Sequence, residues 1–132
     1  MPIVRIDIQA GKSTAYKRAL LHGVREGIKS ALEVHDDRIM QRIVETPVDD
    51  IDTTAAKSDR LTIVEVSMLP GRTAGLKQKL YEAIAAHLAH EPGVNESDLI
   101  VIVNDPPAEC FYLNGAIQCA TPPAPVSEGN RP

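Results

Sequence analysis

Proline at position 2 stands directly before an alternating run, Ile3-Val4-Arg5-Ile6-Asp7-Ile8. Removal of Met1 would turn the proline ring nitrogen into a secondary amine fixed at the start of a strand. Desolvation and nearby cations lower the pKa of such an amine toward neutrality and make it a usable general base. Basic residues recur at two matching turns, Lys12 in Gly11-Lys12-Ser13 and Arg72 in Gly71-Arg72-Thr73. Each precedes an expected helix start, where free backbone amides assist a cation in holding an anion. The chemistry such groups support is proton transfer beside a bound anion.

Other suggestive clusters fail on spacing. Ala10-Gly11-Lys12-Ser13-Thr14 looks like a phosphate loop, but Ile6 stands where that motif needs its first glycine. Asp49, Asp50 and Asp52 lack the glycine and closing glutamate of a calcium loop and read as a solvated linker. His87 and His90 share a helix face without a third ligand, so a surface pair is expected and no metal. Cys110 and Cys119 are expected to be reduced thiols, although a hairpin between them would allow a bridge.

A chain of 132 residues reads as a single domain over residues 1–120. Lys and Arg number 14 against 18 Asp and Glu, a formal charge of −4, with no basic clustering for nucleic acid or anionic lipid. Three Tyr, one Phe and no Trp leave an aliphatic core and no platform for base stacking. No apolar run reaches membrane-spanning length, and the alternating start is unlike a secretion signal; a cytoplasmic location is expected.

The sequence repeats itself at a spacing of sixty residues. Ile3, Val4 and Ile6 match Ile63, Val64 and Val66; Gly11, Lys12 and Ser13 match Gly71, Arg72 and Thr73; Lys17, Leu20 and Val34 match Lys77, Leu80 and Val94. Each copy opens with a strand, Val4, Ile6 and Ile8 in one and Val64, Val66 and Met68 in the other. Ser13 and Thr73 are N-cap residues for helices whose apolar stripes are Leu20, Val24, Ile28, Leu32 and Leu76, Leu80, Ile84, Leu88. Second strands are expected at Arg38–Glu45 and Leu99–Asn104. The two β-α-β units, about 2–45 and 61–104, predict an α+β fold. A four-stranded sheet carries two helices on one face, because crossovers of one hand put both helices on the same side. Thr46 to Asp59 reads as the linker, Pro106 to Ala120 as a C-terminal hairpin, and 121–132 as a disordered tail.

Pro2-Ile3-Val4 opening a β-α-β unit, the Gly-basic-Ser/Thr turns and the second copy together resemble the tautomerase superfamily, whose members include the 4-oxalocrotonate tautomerase-like enzymes. The resemblance spans about residues 2–120. It looks closest to the longer members that include malonate semialdehyde decarboxylase, through Asp37-Arg38 before the second strand and Leu113-Asn114-Gly115 near the end. It implies a homotrimer with the amino-terminal proline in a pocket. On the matching positions it implies Pro2 as base or acid, Arg72 as the cation that binds a substrate carboxylate or polarises its carbonyl, and Asp37 as a hydrogen-bond partner of substrate or water. It further implies Lys12 at the first-turn position of a substrate-binding arginine, and Phe111 and Tyr112 either as an apolar pocket wall or as hairpin residues covering the sheet.

Two departures stand out: Leu69-Pro70-Gly71-Arg72 keeps only the second arginine of the decarboxylase's Arg-Pro-Arg, and Cys110-Phe111-Tyr112-Leu113-Asn114-Gly115 replaces its aromatic-rich wall. The leading expectation is a cofactor-independent keto-enol tautomerase of small 2-oxo or 2-hydroxy-dienoic acids. Decarboxylation or hydration of 3-oxo acids is one alternative, and a non-catalytic trimeric or ferredoxin-like binding module is another.

Overall fold

Alternating burial along the first strand shows how the sheet is used: Val4 and Ile6 are fully buried, Ile8 nearly so, and Arg5 between them is exposed. The computed structural model of the protein describes residues 2–119; the tail expected at 121–132 lies outside them. Strand β1 (Ile3–Gln9) leads into helix α1 (Thr14–Leu32) and strand β2 (Met40–Thr46). The second unit is β3 (Thr62–Ser67), α2 (Ala74–His90) and β4 (Leu99–Asn104), followed by a hairpin of β5 (Tyr112–Leu113) and β6 (Ala116–Ile117). The sheet order is β2-β1-β3-β4, parallel within each unit and antiparallel where β1 meets β3.

The expected β-α-β duplication is present down to its details. Ser13 and Thr73 cap the two helices by accepting from the amides of Tyr16 and Leu76, each at 3.1 Å. Gly11 and Gly71 both take positive φ, 109° and 121°, at the turn before the cap, a conformation that favours glycine. Lys17 pairs with Glu45, and sixty residues later Lys77 pairs with Asp105. Short 3-10 turns at Asp36–Arg38 and Val48–Asp50 recur at Glu96–Asp98 and Ala108–Cys110.

Both helices pack on one face of the sheet and share a single aliphatic core with Val4, Ile6, Val64, Val66 and Met68. Leu20, Val24 and Ile28 of α1 and Leu80, Ile84 and Leu88 of α2 are fully buried, while Leu32 and Leu76 at the stripe ends are half-buried. Three boundaries differ from the sequence reading, the first being the end of β2, which takes in Thr46 from the expected linker by pairing it with Gln9. Arg38 belongs to a 3-10 turn rather than a strand, because the amide of Ile39 donates back to Asp36 and pairing starts at Met40. Met68 lies one residue beyond β3, yet it is fully buried and its amide donates to Asn104 at 3.0 Å. The linker is pinned at its end by Asp98, only 3 % exposed, whose carboxylate accepts from the amide of Ser58 at 2.7 Å and from its hydroxyl.

The helices touch through Gly23 and Gly27. A Cβ on Gly27 would stand 3.0 Å from the backbone nitrogen of Ile84, which cannot swing aside. Gly→Ala within a helix gains up to about 1 kcal/mol in propensity. Gly27→Ala is nevertheless expected to destabilise by about 1 kcal/mol or more, since overpacking at a fixed backbone costs about 1–3 kcal/mol. At Gly23 the obstacle is the tip of Leu88, so Gly23→Ala should be close to neutral. Urea unfolding of the two variants checks the contrast.

The Ser58 hydroxyl and amide hold the Asp98 carboxyl below its ordinary value of 3.8. A lowered folded-state pKa contributes stability above the unfolded value and loses it as the pH falls through the folded one. Asp98→Asn should therefore be less stable than wild type at neutral pH, with the gap narrowing from about pH 4 downward, as measured by urea midpoints across that range.

Candidate active site

The register collects one end of the molecule. Ile3 pairs with Met40 and with Ser67, and Ser67 pairs with Asn104, so the starts of β1 and β2 and the ends of β3 and β4 lie side by side. Every segment leaving the sheet there carries a residue singled out from the sequence: Pro2 before β1, Asp37 before β2, Arg72 after β3, and Phe111 and Tyr112 after β4. Pro2 is buried and its carbonyl accepts from the amide of Met40 at 3.1 Å, which fixes it to the parallel neighbour.

The turn holding Asp37 is built by its neighbours. Arg25 reaches from α1 and donates to the carbonyls of Asp36 at 2.8 Å and Ile39 at 3.2 Å. The Asp36 carboxylate lies 3.0 Å from Lys29 and 3.5 Å from Arg25. The hydrogen bond from Lys29 holds the Asp36 carboxyl below the usual carboxylate range and raises the Lys29 ammonium. Asp37 and Arg38 make no side-chain hydrogen bond or ion pair among the described residues; with His35 they line an open recess. Of two adjacent carboxylates, one is committed to the fold and the other is left to solvent.

Arg72 is half-buried and reaches only the carbonyl of Leu69, at 3.4 Å, with no carboxylate in range among the described residues. It stands two residues before α2, whose first-turn amides are open apart from the one capped by Thr73. Phe111 is half-buried, and Tyr112 at 71 % exposure starts a hairpin whose Asn114 and Gly115 both take positive φ, 53° and 78°. Met40, 62 % exposed and bonded to Pro2, also faces this end. Sequence reading passed it over, although pairing the first residues of two parallel strands would have indicated it.

Lys12 is not brought to this end. It follows β1, a seven-residue strand and hence about 20 Å from Pro2 along the sheet. There it donates to the carbonyl of Asp59 at 2.7 Å and lies over the Tyr16 ring, 5.8 Å from its centre. The ring is shared with Arg60 at 5.2 Å, and burial pushes the Tyr16 hydroxyl up. Within one chain Lys12 and Pro2 cannot hold the same small molecule. Cys110 and Cys119 are both exposed and unbridged. Among the described residues no group of three or more His, Cys, Asp or Glu could hold a metal ion, and no helix is long and apolar enough to cross a membrane.

A family model described as "Tautomerase enzyme" matches residues 41–111, more than half of the chain, including Arg72 and Phe111. Among solved structures, the FG41 malonate semialdehyde decarboxylase inhibited by 3-bromopropiolate superposes with a TM-score of 0.76 at 24 % identity, covering 85 % of this chain and 88 % of that one. A second malonate semialdehyde decarboxylase, described with decarboxylase and hydratase activities, gives 0.76 at 16 % identity over 85 % and 90 %. A fused 4-OT, in a symmetric trimer, gives 0.78 at 20 % identity over 88 % and 94 %. At these identities the superpositions establish a common fold.

The division of labour between the adjacent carboxylates sets a test. Asp36→Asn should lower the thermal midpoint at low ionic strength, with the effect fading as salt is added. Asp37→Asn should leave the midpoint where it is at any salt concentration.

Proposed function

The chain belongs to the tautomerase family, and from that premise we propose that it is a cofactor-independent keto-enol tautomerase of small 2-oxo or 2-hydroxy-dienoic acids. The reading is carried by the segments that bear Pro2, Asp37 and Arg72, which leave the sheet at one end. With Met1 removed, the neutral Pro2 nitrogen takes the proton from the enol hydroxyl. The O–H electrons form the carbonyl, the enol π pair captures a proton at the neighbouring carbon, and the pyrrolidinium supplies it. The proton count is unchanged. Arg72, free of any carboxylate among the described residues, holds the substrate carboxylate and favours the neutral form of the amine. Asp37 holds a substrate hydroxyl or a water, and Phe111 and Tyr112 supply an apolar wall beside the ion pair. The assembly we assign is a homotrimer, in keeping with the fused 4-OT likeness, in solution rather than on a membrane or nucleic acid.

The likeness to the decarboxylases supports a second reading. There a protonated Pro2 polarises the carbonyl of a 3-oxo acid while the bond to the carboxylate breaks, carbon dioxide leaves, and the carbon takes up a proton. The charge of Pro2 at neutral pH separates the two.

Phenylenolpyruvate ketonisation, followed with protein whose loss of Met1 is confirmed by mass, tests the first reading. Pro2→Ala should lower kcat by about 10²–10⁴-fold, the usual worth of a general base. Arg72→Gln should raise KM at least about tenfold, as expected for a lost charged hydrogen bond. A processed wild type that fails to ketonise the enol but releases carbon dioxide from a 3-oxo acid establishes the second.

A further inference from the structure

The chain's two cysteines take no part in the proposed proton transfer, and the C-terminal hairpin fixes where they lie. Asn114 and Gly115 both take positive φ, as a two-residue turn between antiparallel strands requires. That turn sets the register: Leu113 pairs with Ala116 and Tyr112 with Ile117. Pairing runs one step past β5 and β6, since the amide of Gln118 donates to the carbonyl of Phe111 at 3.0 Å. The Gln118 side chain clamps the same register by donating to the carbonyls of Leu113 at 3.2 Å and Ala116 at 3.1 Å. The next two residues to face each other are Cys110 and Cys119.

Hydrogen-bonded and open positions alternate along antiparallel strands. Phe111 and Gln118 occupy a bonded position, so the two cysteines fall at an open one, where neither residue gives its amide to the other. The Cys110 amide is accordingly used elsewhere, on the carbonyl of Pro107 at 2.9 Å. Opposed Cα atoms at an open position lie about 4.5 Å apart. A disulfide spans about 4.4–6.8 Å between Cα atoms. Both cysteines are exposed, so a dissolved oxidant can reach them and their side chains have room to turn toward each other.

From this register we propose that Cys110 and Cys119 form a reversible redox site: they close an intrachain disulfide by exchange with a low-molecular-weight disulfide such as oxidised glutathione, and the bridge clasps the open end of the hairpin. One protein thiolate attacks a sulfur of oxidised glutathione, which gives a mixed disulfide and releases one glutathione thiolate. The second protein thiolate attacks the protein sulfur of that mixed disulfide and expels the other glutathione. The two electrons and two protons lost by the cysteines end on two glutathione thiols. Exposed bridges are of the labile kind that a thiol pool reopens. Phe111 directly follows Cys110, so the clasp ties down the segment placed as the wall of the Pro2 end. Its bearing on substrate rests on the tautomerase reading; the bridge itself does not.

The full-length protein, in its native assembly, is incubated with oxidised glutathione and followed by intact mass under non-reducing conditions. Wild type should lose the mass of two hydrogens, remain a single chain, and return to its starting mass with dithiothreitol. At least one of Cys110→Ser and Cys119→Ser should instead hold one glutathione, the trapped mixed disulfide. Expulsion of glutathione should be at least about tenfold faster in the native protein than in urea, because the fold holds the second thiol in place. In the oxidised form the Gln118 amide should exchange with deuterium at least about fivefold more slowly. The inference is overturned if wild type is unmodified, keeps glutathione on both cysteines or links two chains together. It is equally overturned if closure is no faster in the folded protein, or if exchange at Gln118 is unchanged by oxidation. None of these readouts involves turnover, so failure here is distinct from failure of the tautomerase reading.

Discussion

The antiparallel seam between β1 and β3 is the contact on which the rest of the molecule depends. Each β-α-β unit alone has two parallel strands with one helix across them, and neither covers its apolar face. Pairing Val4 with Val66 and Ile6 with Val64 joins the units edge to edge and brings both helices to the same side. The helices then meet closely enough that Gly27 lies against the backbone of Ile84. The same seam sets Ile3 opposite Ser67, so the start of the chain faces the segment leading to Arg72. Core and candidate site are thus two results of one register, and a slip of one residue would send Val4 and Ile6 to the helix-free face.

Around Pro2, the groups that shape the backbone are different from those left open. Arg25, Lys29 and Asp36 use their charges on one another and on the carbonyls of the 36–39 turn. That turn delivers Met40 to the carbonyl of Pro2. Asp37 and Arg72, which lie on either side, are without carboxylate or ammonium partners among the described residues. A rigid frame with uncommitted ends suits a site that must present charge to a ligand rather than consume it internally.

The elements were legible in the sequence because their signals are local. Alternation at Val4, Ile6 and Ile8, a four-residue stripe from Leu20, and Ser13 and Thr73 as caps each report on a few neighbouring residues. The start of β2 was not, since Arg38 is held out of the strand by Arg25, which reaches across from α1 to the carbonyls on either side of it. Site residues divide the same way. Pro2 and Arg72 could be picked by type and spacing, and Asp37, Phe111 and Tyr112 through the family resemblance, but the placing of their segments at one end follows from strand directions that spacing does not contain. Lys12 shows the cost of reading spacing alone: it matches Arg72 in the repeat, and repeats joined by an antiparallel seam put matching residues at opposite ends.

Under the proposed function, that last relation also accounts for one proton-transferring end rather than two. A chain has one amino terminus, so only the first copy can offer a proline nitrogen with a free lone pair; at Thr62 the nitrogen is spent in a peptide bond. With no base to serve, nothing requires Lys12 to stay available. The linker meanwhile must be held down, and it is, by Asp98 on Ser58, Lys12 on Asp59, and Arg60 on the carbonyls of Pro92 and Gly93. Lys12 and Asp98 thus anchor the connection between the two halves, whereas Arg72 at the other end reaches only the carbonyl of Leu69.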